Sequence, residues 1–390
     1  SDPHAINGYP GNPNTVVTFD PTTNLPTSGA PVSLVAFDAN LPTPVTYRYS
    51  LGMQYDLGNN WVVSVGYQGS LSRHLTRNQN LNLVYFDELN PEIQNFQRFT
   101  NDANASYNAL LTELQHKFSR TFEIDAQYAF AKTEDDYSGD FSGDFSPGVN
   151  PFNRQGEFSP SDFDVKHNFK LYGIWTPRIF HGDNSWLEKV AGNWTISGIV
   201  NAHTGFPFTP YYNVQINDPS VPNACSLVYV NSNFCTVRPE AYLGGAGHNY
   251  SNSGFEPSTT NFPNPATSYF VAPNLGSGSG QIPAPGLARN TFRGPNYSSI
   301  DATLGKAFGL PRLPIFGENA KFDFRASFYN LFNQLNFNAF GPQEIGTITV
   351  TPAHGGTPAS QVVSSPNGQF AIGTNALGGR VIEAQIRFSF

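Results

Sequence analysis

Residues able to do chemistry are thinly spread in this chain. Eight histidines stand apart at His4, His74, His116, His167, His181, His203, His248 and His354. No HxxxH or HExxH spacing sets two of their rings on one metal ion. No nucleophile elbow or Walker loop occurs, and GSGSG at 276–280 has the wrong spacing for a dinucleotide fingerprint and sits in a coil. The chain therefore reads as a non-enzyme. The segment TEDDYSGDFSGDFSPG gathers Asp135, Asp136, Asp140 and Asp144. Oxygen-rich loops hold Ca²⁺, but the Glu-terminated spacing is missing, so solvated acids are the first reading and calcium the second. No other cofactor is expected. Cys225 and Cys235 are the only cysteines. Their spacing suits a local disulfide worth about 2–3 kcal/mol, as an oxidising compartment would allow. Free thiols are the alternative, and no Cys-x-x-Cys supports zinc.

The charged residues fall into a pattern once the elements that carry them are found. In RVIEAQIRFSF, from Arg380, Ile382, Ala384, Ile386, Phe388 and Phe390 share one side and Glu383, Gln385 and Arg387 the other. Side chains of a strand alternate in this way. Tyr47, Tyr49, Leu51, Met53, Tyr55 and Leu57 repeat the pattern, as do segments from Trp61, Leu110, Phe122, Val165, Trp194, Ile300 and Phe322. The expectation is nine strands of roughly 10–13 residues, a length that suits membrane-spanning strands better than soluble ones. An edge strand of a soluble sandwich alternates equally well, so the repetition decides, not any one segment.

Composition agrees. Charged residues are 13% and aromatics 14% of the 390 residues, which excludes a disordered chain. The net charge is −8 with no Lys/Arg block, which excludes a nucleic-acid partner. Mean hydropathy is −0.33, and no apolar run approaches the ~18 residues of a membrane helix, but a β-barrel averages out to polar. Ser1 opens into a Pro/Gly/Asn-rich stretch without a signal-peptide pattern, so a processed chain or a segment of a longer one is expected.

The links alternate in length: 58–60, 119–120, 178–191 and 309–319 are the shorter set, and 72–105, 133–163, 205–296 and 333–379 the long set. Barrels of the bacterial outer membrane have short periplasmic turns and long extracellular loops. Residues 1–44 are then an extracellular loop or N-terminal extension, residues 45–390 a partial antiparallel transmembrane β-barrel, and the C-terminus periplasmic. An odd number of strands leaves open edges that lipid cannot satisfy, so the remaining N-terminal strands of the same parent protein, as a second chain paired to this one, are expected partners. The polar face supplies lumen candidates: the acids Glu113, Glu123, Asp125, Asp323 and Glu383, and the bases Arg48, Lys117, Lys166, Lys170, Lys321, Arg325 and Arg387. Most are read as ion pairs lining the wall. The loop aromatics Phe206, Phe208, Tyr211, Tyr212, Tyr242 and Tyr250 either pack the loops together or stack on sugars or peptides.

The stretches YRYSLGMQYDLGNNWVVSVGYQGSLSRHL, LLTELQHKFSRTFEIDAQYAFAKTEDD, DVKHNFKLYGIW, WTISGIVNAHTGFPFTP, GPNYSSIDATLGKAF, FDFRASFYNLFNQLNF and RVIEAQIRFSF follow one another in order. In that order they resemble the C-terminal barrel region of TonB-dependent outer-membrane receptors, especially the Oar-like type with a carboxypeptidase-regulatory-like domain. The resemblance implies a barrel of about 22 strands, of which these are the last nine. It further implies a lumen plug, a TonB system reached through the N-terminal part, and ligand import across the outer membrane of a Gram-negative bacterium. Ile386, Phe388 and Phe390 look like the signal read by the barrel-assembly machinery, an exposed strand able to add to another sheet. A surface-anchored adhesive barrel and a passive porin are the alternatives.

Overall fold

A computed structural model describes residues 18–19, 21–22, 26–28, 32–80, 93–116, 121–139, 154, 156–177, 190, 192, 194–216, 234–243, 270–275, 286–309, 321–337, 344–351, 360–364 and 376–389. Nine long strands form one sheet: β1 (Val45–Gly58), β2 (Trp61–Asn80), β3 (Ile93–His116), β4 (Phe122–Asp135), β5 (His167–Trp175), β6 (Trp194–His203), β7 (Tyr297–Gly309), β8 (Lys321–Tyr329) and β9 (Val381–Ser389). They lie side by side in chain order, each antiparallel to the next. Among the described residues, no helix is long and apolar enough to cross a membrane.

Turn chemistry fixes the first register. Gly58, Asn59 and Asn60 all have positive φ (82°, 52° and 68°), which asparagine and glycine tolerate, and the reversal pairs Gly58 with Trp61. From there the ladder sets the faces. Met53 opposes Val65, Leu51 opposes Tyr67, and Tyr67 opposes Leu110, which opposes Phe130. This apolar face is open to its surroundings, with Leu51, Met53 and Ile386 each more than 70% exposed. A soluble sheet would bury that face. At the short-turn end it closes in an aromatic group: the ring of His116 stacks on Phe122 at 4.0 Å and meets Trp61 edge-on at 4.6 Å. At the long-loop end, the hydroxyls of Tyr49 and Tyr67 donate to Asn108 Oδ1 at 2.9 and 2.7 Å.

One expected loop is largely strand. Within 72–105, β2 continues to Asn80 and β3 begins at Ile93, with pairing carried up to Asn80↔Gln97 past irregularities between Ser72 and Arg77. Polar residues stand on both faces there, so the apolar alternation that marks the rest of the sheet is absent while the backbone ladder continues. Val32–Phe37 adds in parallel to the upper part of β3, pairing Val32 with Ile93 and Phe37 with Phe99. Residues 1–44 thus contribute a strand to the hairpin.

The long links carry a packed body of their own. Tyr211–Ile216, Phe234–Val237, Glu344–Thr351 and Ser360–Ser364 form a four-stranded sheet, in which Tyr211–Ile216 pairs in parallel with Glu344–Thr351. That pairing joins links 205–296 and 333–379. Tyr212, Val214, Ile345 and Ile348 are wholly buried in this cap, and Phe270 and Phe292 pack close by at 5.7 Å between ring centroids.

Candidate functional site: the polar face and the loop cap

The polar face begins with backbone spacing. Gly52 opposes Gly66, and their missing side chains open a concavity of about 640 Å³ lined by Gln54, Ser64, Glu113, Gln127 and Lys170. Register puts these residues in one row, since Gln54 opposes Ser64, Ser64 opposes Glu113, Glu113 opposes Gln127, and Gln127 opposes Lys170. Next to them, two glutamine amides tie two carboxylates together. Gln115 donates to Glu113 at 3.1 Å and Asp125 at 3.0 Å, and Gln127 donates to Glu113 at 3.1 Å. Asp125 is 5% exposed, and its Oδ1 has no hydrogen-bond partner.

The other expected lumen residues form a second group. Asp323 opposes Arg387, Arg325 opposes Gln385, and Ser327 opposes Glu383, while Lys321 and Asp323 on one strand lie 3.6 Å apart. Glu123, opposite Ile174, stands two residues along the strand from Asp125 on the same face, and Arg48 sits opposite Ser70, apart from both groups. Lys166 precedes β5; its carbonyl accepts from the Ala131 amide at 3.0 Å, and its Nζ lies 5.9 Å from the ring of Phe130. Lys117 and Phe390 lie outside the described residues; Ile386 and Phe388 share the apolar face of the edge strand β9.

The polar face is not wholly polar. Tyr172 opposes Asp125 and Ile199, and Ile174 opposes Glu123 and Ser197, so three large apolar groups stand among the charged ones. They are 42%, 49% and 37% exposed for Tyr172, Ile199 and Ile174 respectively. Alternation alone could have located them, since each occupies a polar-phase position in its strand.

Above the sheet, the acidic cluster is held by arginines. Arg289, wholly buried, pairs with Asp135, donates to Ser138 Oγ at 2.8 Å and reaches Asp162 at 3.4 Å. Arg154 pairs with Asp136, Arg293 with Asp164, and Arg238 with Glu157 in a pair that is 1% exposed on both sides. Guanidinium groups therefore occupy Asp135 and Asp136, where calcium was the second expectation; Asp140 and Asp144 lie outside the described residues. Among the described residues, no group of three His, Cys, Asp or Glu is placed to hold a metal ion. Cys235 stands opposite Val214, and Cys225 lies outside the described residues, as does any bond between them.

Asp102 extends the network to the β2–β3 hairpin, accepting from Arg77 at 2.6 Å and Thr100 at 2.6 Å and facing Arg154 at 3.3 Å. Burial would raise its pKa, but the bonds from Arg77 and Thr100 and the charges of Arg77 and Arg154 hold the carboxyl well below the usual range. The loop aromatics take the packing role: Phe208 and Tyr212 are buried, and Tyr242 meets Phe292 edge-on at 5.1 Å. Burial pushes the Tyr212 hydroxyl up to about 12, and burial with Glu344 raises Tyr211. Tyr250 lies outside the described residues.

Known proteins can now be set beside this geometry. The chain is similar to the outer membrane transporter YddB from Escherichia coli, at 9% identity and a TM-score of 0.41, over 92% of this chain and 34% of that one. It is similar also to BauA, the ferric preacinetobactin receptor from Acinetobacter baumannii, at 11% identity and a TM-score of 0.36, over 96% of this chain and 33% of that one. The chain thus spans about a third of the length of each. No curated protein matches it. The family described as outer membrane beta barrel domain matches residues 3–365, nearly the whole chain, and the chain belongs to that family.

Proposed function

We propose that this chain is the C-terminal barrel portion of an Oar-like, TonB-dependent outer-membrane receptor. In this reading the polar face lines the lumen and the long links lie outside the cell. The cap takes up a ligand, the lumen wall contacts a plug, and periplasmic pulling on the plug lets the ligand pass. The observation that carries the reading is the apolar island of Tyr172, Ile174 and Ile199 beside Glu113, Glu123 and Asp125 on the polar face. A wall that faced bulk water in a passive pore would gain nothing from three exposed apolar groups, whereas a wall in contact with a folded segment buries them at about 25 cal/mol per Å². The ordered sequence patches support the receptor class, and the family supports the outer membrane.

The test is ion conductance of the full-length protein in planar bilayers. A receptor filled by a plug stays closed, and deletion of the lumen-filling segment opens it. Steady conductance of the intact protein would establish the porin instead. An adhesive anchor is separated by uptake, because loss of the TonB system abolishes ligand import by a receptor and leaves adhesion untouched.

A further inference from the structure

We propose that the outer face of the four-stranded cap sheet binds an extended, uncharged polysaccharide of the β-linked glucan class. The proposal rests on placing the long links outside the cell, and it names the chemical class that the cap takes up. Register fixes the two faces of the sheet. Tyr212 opposes Gly346 and Val214 opposes Ile348, and Tyr212, Val214 and Ile348 are wholly buried, so this side is the core of the cap. The alternate residues stand on the other side. Asn213 opposes both Thr236 and Thr347, and Gln215 opposes Thr349. Thr351 follows at the same two-residue spacing, so threonine hydroxyls run in a line along Glu344–Thr351. Gln215 is exposed, and Asn213, Thr236, Thr347, Thr349 and Thr351 are half-buried.

The chemistry of this face selects its partner. Among the described residues, no hydrogen bond engages these threonine, asparagine and glutamine side chains, although each can both donate and accept. No charged side chain stands beside them in the register, so nothing here selects a phosphate, a carboxylate or a metal chelate. Val362, opposite Thr349 and 59% exposed, is the large apolar group of the face among the described residues. It is no substitute for the aromatic and arginine anchors that hold a protein partner. Adjacent strands lie about 4.8 Å apart and alternate residues about 6.6 Å apart along a strand, which makes a flat net of polar groups on the scale of a sugar ring. A β-linked glucan is a flat ribbon that carries uncharged donors and acceptors on every ring. Each bond adds only a few-fold in affinity, so binding must grow with the number of rings laid on the net.

The test is titration calorimetry of the full-length protein in detergent, with cellohexaose, cellobiose and maltohexaose as probes. Cellohexaose should bind roughly tenfold tighter than cellobiose, which spans too little of the net, and than maltohexaose, whose chain curls away from a flat face. Thr349→Val keeps the shape of the side chain without its hydroxyl and should weaken cellohexaose about fivefold; Thr347→Val with Thr349→Val should weaken it about twentyfold. Thr349→Ser retains the hydroxyl and should bind as the parent does. Should the double variant unfold the cap, Gln215→Ala at its exposed position should still cost about fivefold. Equal affinity for the three sugars, absence of cellohexaose binding, or unchanged affinity in Thr349→Val and Gln215→Ala overturns the site. A concentration-dependent oligomer that Thr349→Val dissolves would assign the face to a second copy of the chain and overturn it likewise. Labelling of Ser360→Cys on intact cells by an impermeant reagent separates the site from the placement of the cap. A labelled cap that binds no glucan sinks the site alone, and an unlabelled cap sinks the outward placement with it.

Discussion

Asp102 joins three segments through Arg77, Arg154 and Thr100, and its depressed pKa turns that junction into a pH dependence. A carboxyl whose pKa is lower in the folded state contributes stability above its ordinary value of 3.8, and that contribution is lost as pH falls toward the folded value. The hairpin should therefore hold unchanged from pH 7 to 5 and loosen only well below pH 4, as hydrogen exchange over 76–80, corrected for intrinsic rates, would show. Asp102→Asn at pH 7 should loosen the same amides by about 1–2 kcal/mol, because Arg77 is 4% exposed and loses its charged partner. Tyr212 gives the opposite sign. Its hydroxyl is neutral and buried, so the cap keeps full stability up to the ordinary tyrosine pKa of 10 and loses it as pH rises toward 12. Tyr212→Phe should reduce that alkaline loss, leaving the part that the raised Tyr211 contributes, at a cost of about 1 kcal/mol for the bond to the Phe270 carbonyl, measured by denaturation of the cap between pH 9 and 12. Packing of Tyr212 among the loop aromatics was one of two readings the sequence offered, but its hydroxyl partner and the charged network around Asp102 were not legible. Arg289 and Asp135 are 154 positions apart, and a run of aspartates looks the same whether solvated, metal-bound or paired.

At the scale of elements, the strands that enter lipid were the readable part, and their legibility has one cause. Hydrocarbon admits no charge on one face, so Tyr47 to Leu57 and Ile382 to Phe388 alternate strictly. Where that constraint ends, the signal ends. Arg77, Asn78, Gln97 and Arg98 are strand residues without an apolar partner phase, so the upper β2–β3 hairpin read as loop. The cap strands are short, and the parallel match of Tyr211–Ile216 with Glu344–Thr351 pairs segments more than 120 positions apart. Cap and sheet meet where β6 ends and β7 begins. There Gly294 donates its backbone amide to the Phe206 carbonyl at 2.8 Å, and Asn296 Oδ1 accepts from the Gly205 amide at 3.1 Å. A Cβ added at Gly205 would lie 1.9 Å from the carbonyl oxygen of Gly294 and 2.7 Å from that of Pro295. Both are backbone atoms, so neither swings aside. Gly205→Ala should destabilise the cap by about 2–4 kcal/mol while the far strands β1 and β2 keep their exchange protection.

For the molecule as a whole, the decisive feature is that the sheet of described strands has two free edges. Every residue of β1 is exposed, as are Val381 to Arg387 of β9, and each strand pairs on one side only. Paired interior strands such as β4 bury or half-bury most of their length. Water satisfies an open edge at no great cost, but hydrocarbon satisfies none, and each bare amide there costs several kcal/mol. Apolar side chains such as Leu51, Met53 and Ile386 place both edges in the lipid band, so those edges must be paired wherever the protein spans the membrane. In the full-length protein the amides of β1 and β9 should accordingly exchange as slowly as those of β4 and β6, measured in vesicles by hydrogen exchange. The isolated chain in detergent should show the reverse, with fast exchange confined to alternate amides of the two edges, namely those that point away from β2 and β8. Fast edge exchange in the membrane-embedded full-length protein would mean that the barrel does not close through these strands. Equal protection in the isolated chain would mean that copies of it pair edge to edge, and a concentration-dependent oligomer would accompany that result.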